Sequence, residues 1–452
     1  MASANEGLSP FPVLVLKTGH YALHHGGLGI IRSLGMLGAP VFSVIEDHHA
    51  PTAHSKYLTG TFVWDARDLA RSRLLEELEK IGRQLKLPTV LIPTDDAGAI
   101  LIAEEALTLR QWFLFPKLRS DIPRSLVDKS RLHTLCKQLG VPCPRAISPG
   151  TISEVYEFIE TAAFPVVVKP SKPWLNSKIK PSIVPSPRAL LDLYRRSEAQ
   201  VPSNLLIQEY IHDGEDWLFN GYCNANSKCL AGFTGRKLRS YPSGFGSATL
   251  GRSVTNPALL QQAEALVEAV SYAGIMDIDY RFDKRDGQYK LLDFNPRIGA
   301  QFRLFEDSER IDVARALYRD LTGQSVRRSP QVDGRVFVVE PLDCITSIHD
   351  LLHRELSVRH WWRSFYGVRE FAWFDWFDPL PCAMVWARFG IRGVGKIIRI
   401  GPFKSITARQ SAGMSQKAKP NLAMPIPRHD LWSRLISIAS PLWQFLARPW
   451  LD

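Results

Sequence analysis

Apolar positions in the N-terminal part of the chain follow two periods in turn. "FPVLVL" and "PVFSVIE" are apolar runs of strand length, while "ARSRLLEELEKIGRQLK" repeats Leu74, Leu75, Leu78, Ile81 and Leu85 at helical spacing. "TVLIPTDD" is again a strand and ends on two aspartates. Strands alternating with helices predict βαβ units around a parallel sheet. Between the first two strands, "HHGGLGIIRSLGMLG" reads as a glycine-rich turn and a helix. The turn lacks G-x-G-x-x-G, and Glu46 is the one acid that ends the second strand, so a nicotinamide or flavin site is not expected.

From Asp128 the pattern changes to that of an α+β body. "DKSRLHTLCKQLGVPCP" predicts a helix stopped at Gly140, and "FPVVVKP" a short buried strand closing on Lys169. "NLLIQEYI", "DWLFNGYCNA" and "CLAGFTGRKL" alternate as antiparallel strands do. The helix "NPALLQQAEALVEAVSYAG" leads to "MDIDYRFD", the turn "KRDGQ" and "LLDFNPR", which together predict a β-hairpin. Residues two apart on a strand share a face. Asp293, Asn295 and Arg297 therefore project together, with Leu292 and Phe294 toward the core and Asp279 opposite on the partner strand.

Such a face offers two carboxylates and an amide to a hard cation and a guanidinium to phosphate oxygens. The plainer reading is a solvated strand face with an ordinary ion pair. The loop "GRKLRSYPSGFGSATLGR" sets Arg236, Lys237, Arg239 and Arg252 among turn residues, as a cationic lid over an anionic substrate or as a basic surface loop. The paired histidines at 24, 25, 48 and 49 read as surface or turn residues.

Composition adds limits. A chain of 452 residues, 45% hydrophobic and 22% charged, is globular and holds two to four domains. The net charge of +11 attracts anions without selecting among nucleotides, acidic metabolites, nucleic acid and lipid. No groove-entering motif accompanies the charge, so nucleic acid is not expected. Six cysteines without a C-x-x-C pair suggest neither a zinc site nor a disulfide framework, hence a reducing, cytoplasmic setting. Neither a signal peptide nor a membrane-spanning run is evident.

After about residue 326 the chain becomes rich in tryptophan: Trp361, Trp362, Trp373, Trp376, Trp386, Trp432, Trp443 and Trp450 lie here, out of 12 in all. From 379 onward 11 Lys or Arg face only Asp430 and Asp452. "DLWSRLISIASPLWQFLA" carries Leu431, Trp432, Leu435, Ile436, Ile438, Leu442, Trp443 and Leu446 on one helical stripe. It suits either packing onto the protein or peripheral contact with an anionic membrane.

Across roughly residues 125 to 305 these segments occur in the order found in the ATP-grasp superfamily. The chain resembles its carboxylate-amine ligases, a group that includes D-alanine:D-alanine ligase, D-aspartate ligase and the ATP-binding domains of carbamoyl-phosphate synthase and biotin carboxylase. The resemblance implies a parallel-sheet pre-ATP-grasp domain over 1–120, a two-subdomain ATP-grasp domain over 121–325 divided near 206, and a Trp-rich basic extension over 326–452. It also implies that Lys129 and Lys169 contact nucleotide phosphates. Gln208, with the backbone of Glu209 and Ile211, would meet the adenine edge, and Glu215 the ribose.

By the same resemblance Asp279, Asp293 and Asn295 hold magnesium, two ions with Asp293 between them, or manganese in their place. Arg297 would sit by the γ-phosphate, while Arg303 and Lys237 would attend the acid. The family's glycine-rich phosphate loop is replaced by "KPSKPWLNSKIK", where Lys172, Lys178 or Lys180 would share its task. The implied activity is ADP-forming ligation of a small-molecule carboxylate to an amine, and a homodimer is compatible with it. The alternative is an ATP-binding regulatory module tethered to membrane by its C-terminal extension.

Overall fold

The computed structural model describes residues 11–19, 24–64, 71–175, 180–198, 204–241, 246–353 and 356–399. Residues Met1–Gly395 form one compact unit, and the second unit, Lys396–Asp452, lies almost wholly outside the described residues. So do Lys178, Trp432, Trp443, Trp450 and the whole apolar stripe from Leu431 to Leu446.

The N-terminal sheet is parallel, with strands β1 (Val13–Leu16), β2 (Val41–Ile45), β3 (Gly60–Val63), β4 (Thr89–Pro93) and β5 (Phe113–Leu114) in the order β3-β2-β1-β4-β5. All of "VLVL" is buried because helices and a second sheet cover both faces. Val13 and Val15 point into one core and Leu14 and Leu16 into the other. The helix Arg71–Leu85 closes the second core with Leu78 and Ile81.

A small antiparallel sheet follows, made of β6 (Ala146–Ile147), β7 (Val166–Pro170), β8 (Ser182–Val184) and β9 (Leu205–Glu209) in the order β6-β9-β7-β8. Its core is closed by the helices Ile152–Thr161 and Pro187–Glu198, whereas the helix Lys129–Leu139 packs Leu132 and Cys136 under the large sheet and ends where Gly140 takes φ +66°, a left-handed turn that glycine adopts without penalty.

The large sheet comprises β10 (Glu215–Cys223), β11 (Cys229–Tyr241), β12 (Ser247–Ser253), β13 (Gly274–Asp283), β14 (Gln288–Asn295), β15 (Val336–Val338) and β16 (Val368–Phe371). Its order is β14-β13-β10-β11-β12-β15-β16. The last two strands come from beyond residue 326, so part of the Trp-rich segment completes this sheet. Trp373 joins Val13, Ile30, Phe233, Phe305 and Phe337 in one core that unites the N-terminal sheet, the large sheet and this segment.

Two sequence expectations are corrected here. Cys223 and Cys229, opposite one another at the end of β10 and the start of β11, form a disulfide. "GRKLRSYPSGFGSATLGR" is mostly two paired strands, β11 and β12, rather than a loop, with 242–245 outside the described residues.

Candidate active site

The β13–β14 hairpin sets the centre of the site. Ile278, Tyr280, Leu291 and Phe294 enter the core beneath the sheet, which turns Asp277, Asp279, Asp293 and Asn295 to the opposite face. The register pairs Asp279 with Asp293 and Asp277 with Asn295, then slips so that Tyr280 meets Leu291. Leu292 is thus the extra residue of a bulge, and the core position expected for it is taken by Leu291.

Three lysines from three other elements converge on the two paired acids. Lys129, first residue of its helix, and Lys169, near the end of β7, both donate to Asp293, the latter at 3.0 Å. Lys237 on β11 donates to Asp279 at 3.0 Å. Burial opposes the charge on Asp293, but the Lys129 and Lys169 ammoniums outweigh it and hold the carboxyl well below the usual carboxylate range. Burial lowers the basicity of Lys169 despite Asp293. For Lys237 the neighbouring aspartates outweigh burial and raise it.

Asp128 builds the first lysine's position. Its carboxylate caps the helix by accepting from the Ser130 and Arg131 N–H groups at 3.1 and 3.2 Å, and from the Ser171 hydroxyl at 3.4 Å. Lys129 N–H in turn donates to Ser171 O at 2.9 Å. One tie therefore locates both Lys129 and the strand end that carries Lys169.

Arg297 joins β13 to the helix Asp96–Glu104 that follows β4, donating to Asp96 at 3.1 Å and lying 3.7 Å from Asp277. Sequence reasoning passed over Asp277. It is buried, accepts from Asn220 and Gln301 at 3.3 Å each, and its carboxyl is pushed up to about 7 by burial and then by Asp279. A Cβ on Gly299 would stand 2.7 Å from the Asp277 carboxyl carbon, so the approach requires glycine. The available signal was the alternation of Asp277 with Asp279 on one strand face.

The remaining expected residues divide. Gln208 is buried on β9. The Glu209 N–H donates to Arg145 O at 2.8 Å, its carboxylate pairs with Arg285 at 2.6 Å, and Ile211 O accepts from Arg281 at 2.9 Å. Glu215 opens β10 and pairs with Arg236 at 3.1 Å. Arg239 is held by Asp343 and Ser364, each at 2.7 Å. Arg303 does not join the aspartate face. It forms a two-pronged pair with Glu370 of β16 at 2.9 to 3.2 Å, and Arg335 shares that acid. Lys237 is thus the one cation of the expected lid to reach Asp279, among the described residues. His24 and His25 are partly buried rather than fully exposed, and desolvation holds both below the ordinary histidine range, His25 down to about 4.

Asp279, Asp293 and Asn295 form an all-oxygen donor set suited to magnesium. Among the described residues no group of three or more His, Cys, Asp or Glu side chains is arranged to hold a metal alone. An ion here would need further oxygens from a bound phosphate, which is how magnesium is usually held.

No protein-family model matches the chain. It is similar to D-aspartate ligase of Enterococcus faecium (strain Aus0004), 25% identical over 281 residues that are 56% of this chain and 64% of that protein. The chain thus matches less than two thirds of that relative's length. Among solved structures it resembles N5-carboxyaminoimidazole synthetase from Staphylococcus aureus complexed with ADP, with TM-score 0.57 and 14% identity over 76% of this chain and 87% of that one. It also resembles the biotin carboxylase domain of Hydrogenobacter thermophilus 2-oxoglutarate carboxylase, in complex with MgADP, ADP and bicarbonate. There the TM-score is 0.53 and the identity 15% over 71% of each chain. These likenesses establish the ATP-grasp fold.

Proposed function

We propose that this ATP-grasp chain is a magnesium-dependent, ADP-forming ligase that activates a carboxylate as an acyl phosphate and joins it to an amine. The observation that carries the reading is the convergence of Lys129, Lys169 and Lys237 on the Asp279–Asp293 pair, with Arg297 beside it. Cations arranged around two acids suit a metal-nucleotide complex, because on binding each lysine can exchange carboxylate for phosphate oxygen. The similarity to D-aspartate ligase supports the same reaction type.

In this reading the adenine edge meets the Glu209 carbonyl and the Ile211 N–H, since the opposite groups of those residues are already bonded. Glu215 would exchange Arg236 for the ribose hydroxyls. Lys129 and Lys169 would draw the phosphates over the hairpin. Asp279, Asp293 and Asn295 would hold magnesium, which neutralises phosphate charge and orients the γ-phosphoryl group for in-line transfer. A carboxylate oxygen of the acid takes the phosphoryl group, with Arg297 and Lys237 balancing the charge that develops. The neutral amine nitrogen then attacks the acyl carbon, the acyl C–O bond breaks to release phosphate, and the nitrogen sheds one proton to that phosphate or to water. Arg303 spends Nε and Nη2 on Glu370 and keeps a buried Nη1 without a hydrogen-bond partner, which leaves it available to the acid.

Two ions with Asp293 between them, assembly as a homodimer, a cytoplasmic setting and peripheral contact of the basic tail with an anionic surface belong to the same proposal. Among the described residues no helix is long and apolar enough to cross a membrane.

Incubation with ATP, Mg²⁺ and pooled amino acids, other small acids and amines should release ADP and phosphate, with the joined product seen by mass spectrometry. Release of AMP and pyrophosphate would rule out the acyl-phosphate route. Flotation with anionic liposomes at low salt tests the membrane clause.

A further inference from the structure

Beside the Cys223–Cys229 disulfide four cysteines are free, and two of them meet at the end of the helix Lys129–Leu139. Cys136, only 1% exposed, is in the last turn of that helix, and Cys143 lies just beyond the Gly140 stop. The chain doubles back there: the Val141 N–H donates to Cys136 O at 2.8 Å, the bond that closes a left-handed helix cap. Cys143 therefore packs against the buried cluster that contains Cys136, and the Cys136 thiol is placed to hydrogen-bond the Cys143 sulfur. Pro142 and Pro144 stiffen the backbone on either side of Cys143.

The two sulfurs differ in their surroundings. Cys136 is sealed beneath the large sheet, whereas Cys143 keeps part of its surface in solvent. His133 and Lys137, on the helix face that also carries Cys136, stand beside Cys143. The Cys136 thiol, and after it His133 and Lys137, hold Cys143 below the ordinary thiol range, which favours the nucleophilic thiolate. Cys136 itself is pushed above that range by Cys143 and by burial. Burial also pushes the other free thiols, Cys344 and Cys382, up to about 11. A partly exposed thiolate with a second thiol against it is the pairing of an attacking and a resolving cysteine.

Two backbone ties run from this pair to the centre described above. Pro142 O accepts from the Leu291 N–H of β14 at 2.8 Å, two residues before Asp293, and Arg145 O accepts from the Glu209 N–H at 2.8 Å. A covalent bond holds two sulfurs closer than a thiol hydrogen bond does. Drawing Cys143 toward the helix thus pulls on the aspartate hairpin and on the segment assigned above to adenine.

We infer that Cys136 and Cys143 are a thiol–disulfide exchange site, at which a low-molecular-weight disulfide closes a Cys136–Cys143 bond and weakens nucleotide binding. The Cys143 thiolate attacks one sulfur of the reagent, forming a mixed disulfide and expelling one thiolate. The Cys136 sulfur then attacks that of Cys143 and expels the second, which takes the Cys136 proton. The protein pair loses two electrons and the reagent is reduced to two thiols. The exchange is independent of the ligase reading, on which only its consequence for the nucleotide rests.

Treatment of the full chain with glutathione disulfide, followed by alkylation in denaturant and peptide mass spectrometry, tests the exchange. Untreated protein should be labelled at Cys136, Cys143, Cys344 and Cys382. Treated protein should be labelled at Cys344 and Cys382 only, with Cys136 and Cys143 recovered in one cross-linked peptide. Calorimetry should show the treated protein binding MgADP at least about tenfold more weakly, and reduced glutathione should restore the affinity. Cys143→Ser should bind MgADP as untreated wild type does and ignore the oxidant, while Cys136→Ser should stop at a glutathione adduct on Cys143. The labelling pattern is read on the wild type, so it stands even where Cys136→Ser fails to fold. Full labelling of Cys136 and Cys143 after treatment, a lasting glutathione adduct on wild-type Cys143, or a cross-link that leaves MgADP affinity unchanged would each overturn the inference. Failure of the ligase reading shows separately, as untreated protein that binds MgADP but forms no ADP from ATP with any acid and amine.

Discussion

At the scale of single residues, the site is a balance of charges that a ligand must rearrange. Asp293→Asn removes one anion at nearly constant volume and frees Lys129 and Lys169 from it. The expected outcome is a folded protein with kcat lower by roughly 10²-fold or more, since a bound metal supplies several kcal/mol of transition-state charge stabilisation. ADP release at saturating Mg²⁺ measures it, and wild-type turnover would remove Asp293 from the ligand set. Asp277→Asn probes positioning instead. Asp277 shares Arg297 with Asp96 and also gathers Asn220 and Gln301. The variant should lose about tenfold in kcat with the KM for ATP little changed, as expected when a group acting only in the transition state loses its alignment. A rise in the KM for ATP alone would place Asp277 on the nucleotide side.

At the scale of elements, the helix Lys129–Leu139 carries in its first turn the lysine proposed above to meet phosphate, so its start matters more than its length. Asp128→Ala deletes the cap and the link to Ser171. It should cost about 1 kcal/mol of stability and raise the KM for ATP several-fold, read by urea unfolding and steady-state kinetics. Unchanged nucleotide KM with lowered stability would confine Asp128 to a structural part. The β10–β11 hairpin offers a covalent test. With Cys223 and Cys229 joined, alkylation of the unfolded, unreduced protein should label only Cys136, Cys143, Cys344 and Cys382. Labelling of all six would favour the reducing setting read from cysteine spacing.

At the scale of the whole molecule, the segment beyond residue 326 works as a strap. Asp378 accepts from Arg32, Ser55 and the Lys56 N–H, while Glu340 accepts from the Trp373 and Phe374 N–H groups. Burial pushes the Glu340 carboxyl from an ordinary 4.5 up to about 7. A raised folded-state value means that the protonated form is favoured by folding. Its contribution is therefore complete below about pH 4.5 and is lost as pH rises through about 7. Glu340→Gln imitates the protonated group, so the stability difference between variant and wild type should shift in the variant's favour by about 2 kcal/mol between pH 5 and pH 8. Denaturant midpoints at the two pH values measure this, and parallel behaviour would show that Glu340 does not titrate in that window.

Much of this organisation is local and therefore legible in the chain itself. Strand alternation in "VLVL", the helical stripe of Leu78 and Ile81, the Gly140 stop and the "MDIDYRFD"–"LLDFNPR" hairpin all express periods of two and 3.6 residues, and they appear where those periods put them. The pairing of Asp279 with Asp293 followed from the same geometry. Tertiary structure decided what depends on distant partners. A one-residue bulge exchanged Leu292 for Leu291 in the core, because register answers to the neighbouring strand. Arg303 and Arg297 look alike in sequence, six residues apart, yet one meets Glu370 of a strand added late in the chain and the other meets Asp96 at the start of the helix that follows β4. Glu46, a strand-ending acid with no motif around it, acquired its buried vacant oxygen only when Lys17 and Trp373 closed over the same crevice. Side-chain chemistry is written residue by residue, but burial and partnership, which set what that chemistry does, are properties of the packed whole.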